Sequence, residues 1–69
     1  MASIEEYRKI VDNKTSGFVG TQKLESHEAD IVVECYDKLE DPKAKKYLMA
    51  MSPFTAVMFC MKLSDNTKN

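Results

Sequence analysis

The sequence has few of the side chains that stabilise very small domains through a metal ion or disulfide bonds. Its two cysteines and one histidine are Cys35, Cys60 and His27, which argues against a structural zinc site built by one chain. Cys35 and Cys60 could form one disulfide. The chain lacks a cationic start followed by an apolar signal core, so we expect a cytoplasmic protein with reduced thiols, no metal and no cofactor.

An excess of charge of one sign is also absent. Ten basic and 11 acidic residues leave a net charge of −1. Because nucleic-acid-binding domains carry a strongly basic face, we expect no nucleic-acid partner. A hydrophobic content of 43% is ordinary for a folded globule. We therefore expect one small domain over residues 1–69, with a frayed polar tail at residues 64–69.

The short chain limits the size of any core. A domain of 69 residues buries only about 60% of the surface that its unfolded chain exposes. Domains of this size usually gain stability from disulfides, a metal or a partner chain. Since the first two are disfavoured here, a partner chain is the expected source.

Helix signals divide the front half of the chain. Ser3 and Glu6 form a capping-box pattern, and apolar residues then recur at helical spacing, which predicts a first helix over about residues 4–11. Ser26 is the predicted N-cap of a second helix, which is amphipathic. Its predicted apolar face comprises Ala29, Val32, Val33, Tyr36 and Leu39. Between the helices we expect an irregular loop in which Phe18 or Val19 packs back against them, with a short extended segment as the alternative.

Both prolines follow a residue that can cap a helix. Asp41-Pro42 and Ser52-Pro53 each place proline at a first helical position. Proline inside a continuing helix removes a hydrogen bond and clashes with the preceding turn, so residues 42–63 form either one kinked helix or two helices. The predicted fold class is all-α. We expect a small bundle of three to four helices, with a glycine-containing loop after the first helix and a kink or break at Ser52-Pro53.

The segment 54–63 is apolar on nearly every side, and only Thr55 and Lys62 interrupt it. A transmembrane helix needs about 20 consecutive apolar residues, and this segment is much shorter. An interfacial membrane helix needs a basic face, whereas Lys62 is the only charge here. We therefore expect no membrane association.

Two interpretations of this segment remain. In a monomer it would be a core helix, but the other helices are too few and too short to cover all of it. A large bare apolar patch usually marks a contact surface, and methionine adapts to varied partners. We expect a homo-oligomer, with a two-fold dimer favoured, and a protein partner. The predicted interface residues are Phe54, Val57, Met58, Phe59, Met61 and Leu63.

Residues suited to catalysis are scarce. His27 lies in the first turn of the second predicted helix, and no nucleophile stands at a useful spacing from it. Asp30, Glu34 and Asp37 follow helical spacing and lack the ligand pattern of a calcium loop, which predicts a solvated helix face. We expect no enzymatic activity.

The loop after the first helix is the local candidate for a ligand site. Glycines can free backbone N–H groups, hydroxyls can donate and lysines can neutralise a phosphate, although the spacing differs from that of the nucleotide-binding loop. The candidate residues are Lys14, Thr15, Ser16, Gly17, Gly20, Thr21 and Lys23. Two functions are therefore open. One is a self-associating protein that binds a macromolecule as an inhibitor, adaptor or regulator. The other is an oligomer that binds a small anionic ligand, such as a nucleotide, at a subunit junction.

Overall fold

The computed structural model describes residues 3–67, with side chains described through residue 64. The elements in chain order are α1 (Ile4–Asn13), β1 (Gly17–Val19), β2 (Gln22–Leu24), α2 (Ser26–Lys38), α3 (Pro42–Ala50) and α4 (Pro53–Thr67). The described part is mostly helical, as predicted. The all-α prediction is wrong for residues 17–24, which form a two-stranded antiparallel hairpin. The break predicted at Ser52-Pro53 is confirmed, and residues 42–63 form two helices rather than one kinked helix.

Helix α1 begins and ends with local hydrogen bonds. Its N-cap is Ser3, whose backbone N–H donates to Glu6 Oε1 at 3.1 Å, an interaction that the capping-box pattern predicted. At the other end Lys14 adopts the left-handed region with φ of 56°, and its N–H donates to the carbonyls of Ile10 and Val11 at 3.1 Å. The helix therefore extends past its predicted end and closes with the left-handed cap common at helix C termini.

The hairpin forms because a two-residue turn joins two short segments of alternating burial. Gly20 opens this turn with φ of +64°, at a position where tight hairpins favour glycine. Val19 and Leu24 are buried on the inner face, whereas Phe18 is exposed on the outer face. Val19, rather than Phe18, is thus the residue that packs against the helices.

Helix α2 begins one residue earlier than an N-cap at Ser26 predicts, because its N-cap is Glu25. The N–H of Glu25 donates to Glu28 Oε1 at 2.9 Å, and Ser26 is the first helical residue. At the C terminus, Lys45 of α3 donates to the Tyr36 carbonyl at 2.6 Å and lies 4.3 Å from the centre of the Tyr36 ring. A cation at this end complements the helix dipole and holds α3 against α2.

Both helices that begin with proline are present. In α3 the Asp41 side chain accepts a hydrogen bond from the Lys43 N–H at 3.0 Å, with Pro42 at the first position, as predicted. Helix α4 continues to Thr67, past its predicted end near residue 63. The tail predicted to be frayed is therefore helical over residues 64–67, and residues 68 and 69 lie outside the described residues.

The hydrophobic core lies where α1, α2, α4 and the hairpin meet. Helix α1 packs on α2 and β1, and α4 packs on α2 and β2. The buried apolar residues are Tyr7, Ile10, Val19, Leu24, Ala29, Val32, Leu48, Ala56, Val57 and Cys60. Over the described part of the chain, no helix combines the length and the apolar character needed to cross a membrane. Helix α4 thus lies at one side of the core, with part of its circumference facing outward.

Candidate interaction surface on helix α4

One face of α4 belongs to the core. Its buried residues are Pro53, Ala56, Val57 and Cys60, an i, i+3, i+4, i+7 pattern. This spacing is that of a helix packed on one side. The hairpin holds the start of the helix, since Gln22 Oε1 accepts a hydrogen bond from the Phe54 N–H at 3.2 Å. That bond satisfies one of the free donors at the helix N terminus.

A face of α4 adjacent to the buried one carries a row of exposed apolar side chains. Phe54, Met58 and Met61 are 49%, 70% and 48% exposed and recur at i, i+4, i+7. We call these three residues the α4 stripe. Apolar anchors at this spacing are those that a helix uses to contact a groove or another helix. The stripe is therefore the strongest candidate for a contact surface.

The structure divides the six residues predicted at the interface into three groups. Phe54, Met58 and Met61 lie together in the stripe, whereas Val57 is a core residue with 4% exposure. Phe59 and Leu63 are half-buried on the flanks. Within one chain, Val57 is therefore less accessible to a partner than the three stripe residues. The helix is apolar nearly all round, so its own periodicity could not indicate which side faces the core.

An open groove with a volume of 540 Å³ runs between α2 and α4. Its apolar lining comprises Ile31, Cys35, Leu39, Cys60, Met61 and Leu63. The exposed side chains of Glu34 and Lys38 add charge beside this lining. Because Met61 belongs to both the stripe and the groove, the two form one continuous surface. We call the second part the α2–α4 groove.

The α2 side of this groove was not predicted as a site. Ile31 and Cys35 widen the apolar side of α2, which indicates that the helix contacts more than one neighbour. This wide apolar side of α2 is the signal in the sequence that points to the groove. The groove itself, however, arises from the packing of two helices that are far apart in the sequence.

The two cysteines meet in the α2–α4 groove. Cys35 is half-buried and Cys60 is buried, and both are free thiols. Burial raises the pKa of the Cys60 thiol, and the side-chain hydrogen bond with Cys35 raises it further. At neutral pH Cys60 is therefore a protonated thiol that packs as a small hydrophobe.

Tyr7 is a second buried titratable group in this part of the core. Its side chain is fully buried, and its hydroxyl has no hydrogen-bond partner within the part of the chain that the structure describes. Burial, with smaller contributions from Cys60 and Glu6, raises the pKa of Tyr7 to about 12. Since buried hydroxyls are usually hydrogen-bonded, the Tyr7 hydroxyl without such a partner lowers the stability of the fold.

The residues predicted to bind a small anion are spread along the hairpin and its lead-in. Lys14 caps α1, and Ser16 and Gly17 are half-buried. The remaining members of the set are the exposed residues Thr15, Gly20, Thr21 and Lys23. Strand pairing, rather than a loop that encloses a ligand, determines where these residues lie.

The hairpin turn is occupied by a carboxylate of the same chain. The Gly20 N–H donates to Glu6 Oε2 at 3.2 Å. An anion would need this donor and would also be repelled by the Glu6 charge. A smaller cavity of 350 Å³ lies between the turn residues Gly20 and Thr21 and the α3–α4 junction at Ser52. The Ser52 hydroxyl there already donates to Thr55 Oγ1 at 2.8 Å.

The other charged residues considered in the sequence lie at the protein surface. His27 is exposed in the first turn of α2. Asp37 pairs with Arg8 of α1, with 2.8 Å between Oδ1 and Nη2, so the acidic face of α2 helps to join the two helices. Across the described residues, no group of three or more His, Cys, Asp or Glu side chains could hold a metal ion.

Comparison with known protein families, with curated proteins and with solved structures finds no match to this chain. The features of the chain that bear on function are therefore the exposed surface of α4 and the groove beside it.

Proposed function

We propose that this protein is a small cytosolic helical protein that self-associates through the α4 stripe. In this proposal it acts by binding a macromolecule, as an inhibitor, adaptor or regulator. The observation that supports it is the exposed row of Phe54, Met58 and Met61 on a helix whose other face already lies in the core. Clustered exposed apolar side chains mark contact surfaces, and Phe and Met are enriched at interface centres.

A two-fold dimer is the simplest way to cover the stripe. If two α4 helices pack antiparallel about an axis near Met58, Phe54 of each copy meets Met61 of the other. The same contact then occurs twice, as two-fold symmetry requires. All three stripe residues are uncharged, so this contact buries no unpaired charge.

The α2–α4 groove supplies the surface for a macromolecular partner. Its apolar lining is flanked by Glu34 and Lys38, an arrangement that resembles the apolar centre and polar rim of protein interfaces. A partner segment with apolar side chains and a few compensating charges fits this surface. Because Met61 lies in both surfaces, self-association and partner binding are expected to influence each other.

Sedimentation of the full chain at micromolar concentration tests the self-association. We expect the wild type to sediment as a dimer. Met58→Lys places a charge at the centre of the proposed contact and is expected to weaken association at least about tenfold. The matched control is Phe18→Lys, because Phe18 is also exposed, at 65%, but lies on the hairpin. The control should leave the dimer intact.

The outcomes of this experiment separate clearly. A wild type that stays monomeric at these concentrations contradicts self-association. A dimer that Phe18→Lys weakens as much as Met58→Lys contradicts the assignment to α4. Circular dichroism and thermal unfolding of both variants serve as folding controls, since neither position is buried.

The alternative proposal is an oligomer that binds a small anionic ligand through the hairpin. The lysines and hydroxyls near the turn support it, whereas the Gly20–Glu6 hydrogen bond disfavours it. A thermal-shift panel of nucleotides tests it cheaply. A rise in Tm that Lys14→Ala or Lys23→Ala removes would favour this function over macromolecular binding. No rise with any nucleotide would eliminate it.

A further inference from the structure

The two cysteines are far apart in the sequence but adjacent in the fold. Cys35 lies on α2 and Cys60 on α4, two helices that pack against each other. Both line the α2–α4 groove, and Cys35 packs against the core cluster that contains Cys60. Two free thiols thus share one groove, and a side-chain hydrogen bond between them places their sulfur atoms close together.

We propose that Cys35 and Cys60 are a reversible dithiol–disulfide site, which a low-molecular-weight disulfide such as glutathione disulfide oxidises to a covalent link between α2 and α4. In a reducing compartment the pair remains a dithiol. The site therefore responds to a shift of the thiol–disulfide balance toward oxidation. The reaction requires neither self-association nor a macromolecular partner.

The different exposure of the two thiols determines the order of the reaction. Cys35 is half-buried at an open groove, so a small disulfide can reach it, whereas Cys60 is only 2% exposed. The thiolate of Cys35 attacks one sulfur of the reagent. The reagent's sulfur–sulfur bond breaks, and one reduced thiol leaves with a proton. Cys35 is then held in a mixed disulfide.

The second step uses Cys60 as the resolving thiol. Cys60 loses its proton and attacks the Cys35 sulfur, and the second reagent thiol leaves as that proton is taken up. In sum, one reagent disulfide is reduced to two thiols and the protein dithiol is oxidised by two electrons. Burial raises the pKa of Cys60, so this step is expected to be the slower one and to accelerate at higher pH.

The disulfide would restrict the unfolded chain between the two cysteines. Loop-closure entropy then lowers the equilibrium constant for unfolding by about two orders of magnitude, provided that the link fits without strain. Helices α2 and α4 form the two walls of the groove, so the link also fixes the distance between these walls. Oxidation is thus expected to stabilise the fold and to change the groove.

The test treats the full chain in native buffer with mixtures of glutathione and its disulfide at stepped ratios. We expect intact-mass analysis to show the loss of two hydrogen atoms, and peptide mapping to join Cys35 to Cys60. Cys60→Ser should accumulate one glutathione on Cys35. Cys35→Ser should react at least about tenfold more slowly, because its remaining thiol is buried.

Two results would overturn the inference. The first is a wild type that retains glutathione on Cys35 in native buffer but forms the internal disulfide in denaturant, since the native fold would then keep the sulfurs apart. The second is oxidation that yields only disulfides between chains. Both results are read on the wild type, so they do not depend on whether a cysteine variant folds. Circular dichroism of the oxidised wild type checks that its fold is retained.

Discussion

The carboxylate of Glu6 accepts a hydrogen bond from the backbone N–H of Gly20 at 3.2 Å, while its other oxygen accepts from Ser3 at 3.1 Å. One side chain thus caps α1 and holds the hairpin turn against the start of that helix. This contact helps to fix the inner face of the hairpin, which buries Val19 and Leu24 in the core.

Glu6→Ala is expected to lower the free energy of unfolding by about 1–3 kcal/mol, because two backbone donors lose a charged acceptor. Chemical denaturation measures the change. Glu5→Ala is the matched control in the same turn, since Glu5 is exposed and lies 4.0 Å from Arg8 in a surface ion pair. Its effect should stay below about 0.5 kcal/mol. Equal losses in the two variants would show that the Gly20 contact contributes nothing.

Gly17→Ala is expected to destabilise the fold by about 1–3 kcal/mol through overpacking. A Cβ atom at Gly17 would lie 2.8 Å from Ile10 Cγ1. The same substitution should therefore be less harmful in an Ile10→Ala background, and a double-mutant cycle measures this coupling. Gly20→Ala is the control. Its Cβ would meet nothing within 4 Å, so any loss there reflects the positive φ alone and should not couple to Ile10.

Lys14→Gly is expected to raise the free energy of unfolding by about 1 kcal/mol, because Lys14 ends α1 with a positive φ of 56°. Thermal and chemical unfolding measure the gain. Thr15→Gly next to it should give no such gain, since Thr15 does not have a positive φ. An unchanged or reduced stability in Lys14→Gly would mean that the lysine side chain makes a compensating contribution.

Tyr7→Phe is expected to raise stability by about 1 kcal/mol, because it removes a buried hydroxyl that lacks a partner among the described residues. It should also change the pH dependence. The pKa of Tyr7 is raised from 10.0 to about 12 in the folded protein, so the unfolded chain loses this proton first. The contribution of the neutral phenol is therefore present below pH 10 and is lost as the pH rises toward 12.

The measurement is the difference in unfolding free energy between wild type and Tyr7→Phe across that alkaline range. The pKa of Cys60 is also raised, so Cys60 too lowers the unfolding free energy as the pH rises. Because both proteins contain Cys60, the difference between them isolates the contribution of Tyr7. Wild type should lose stability faster than the variant as the pH rises. Parallel curves would show that the hydroxyl of Tyr7 is solvated or hydrogen-bonded in solution.

Val57→Ala and Phe54→Ala are expected to separate folding from association. Val57 lies in the core, so its truncation should lower the free energy of unfolding by about 1–3 kcal/mol. Phe54 is half-exposed, so its truncation should change the stability of the monomer by much less and weaken self-association instead. Denaturation at low protein concentration and sedimentation measure the two effects. A Phe54→Ala variant that associates like wild type would remove Phe54 from the contact.

Much of the helical architecture could be predicted from the sequence, because its causes are local. The Ser3–Glu6 capping pattern and the Asp41-Pro42 start depend on neighbours within one turn, and the observed hydrogen bonds follow them. The hairpin was missed as an element, since its strands are three residues long and carry a weak pattern. The pairing of the two strands and the burial of Val19 and Leu24 appear only in the tertiary structure.

The candidate surface could be predicted only in part. The sequence by itself determined that α4 has more apolar surface than one packed face requires. Which side of α4 faces inward was decided by tertiary packing against α2 and the hairpin, which buried Val57 and left Met58 exposed. The meeting of Cys35 with Cys60 has the same origin. Local patterns determine helices and caps, whereas contacts between distant segments determine which faces are buried and which thiols become neighbours.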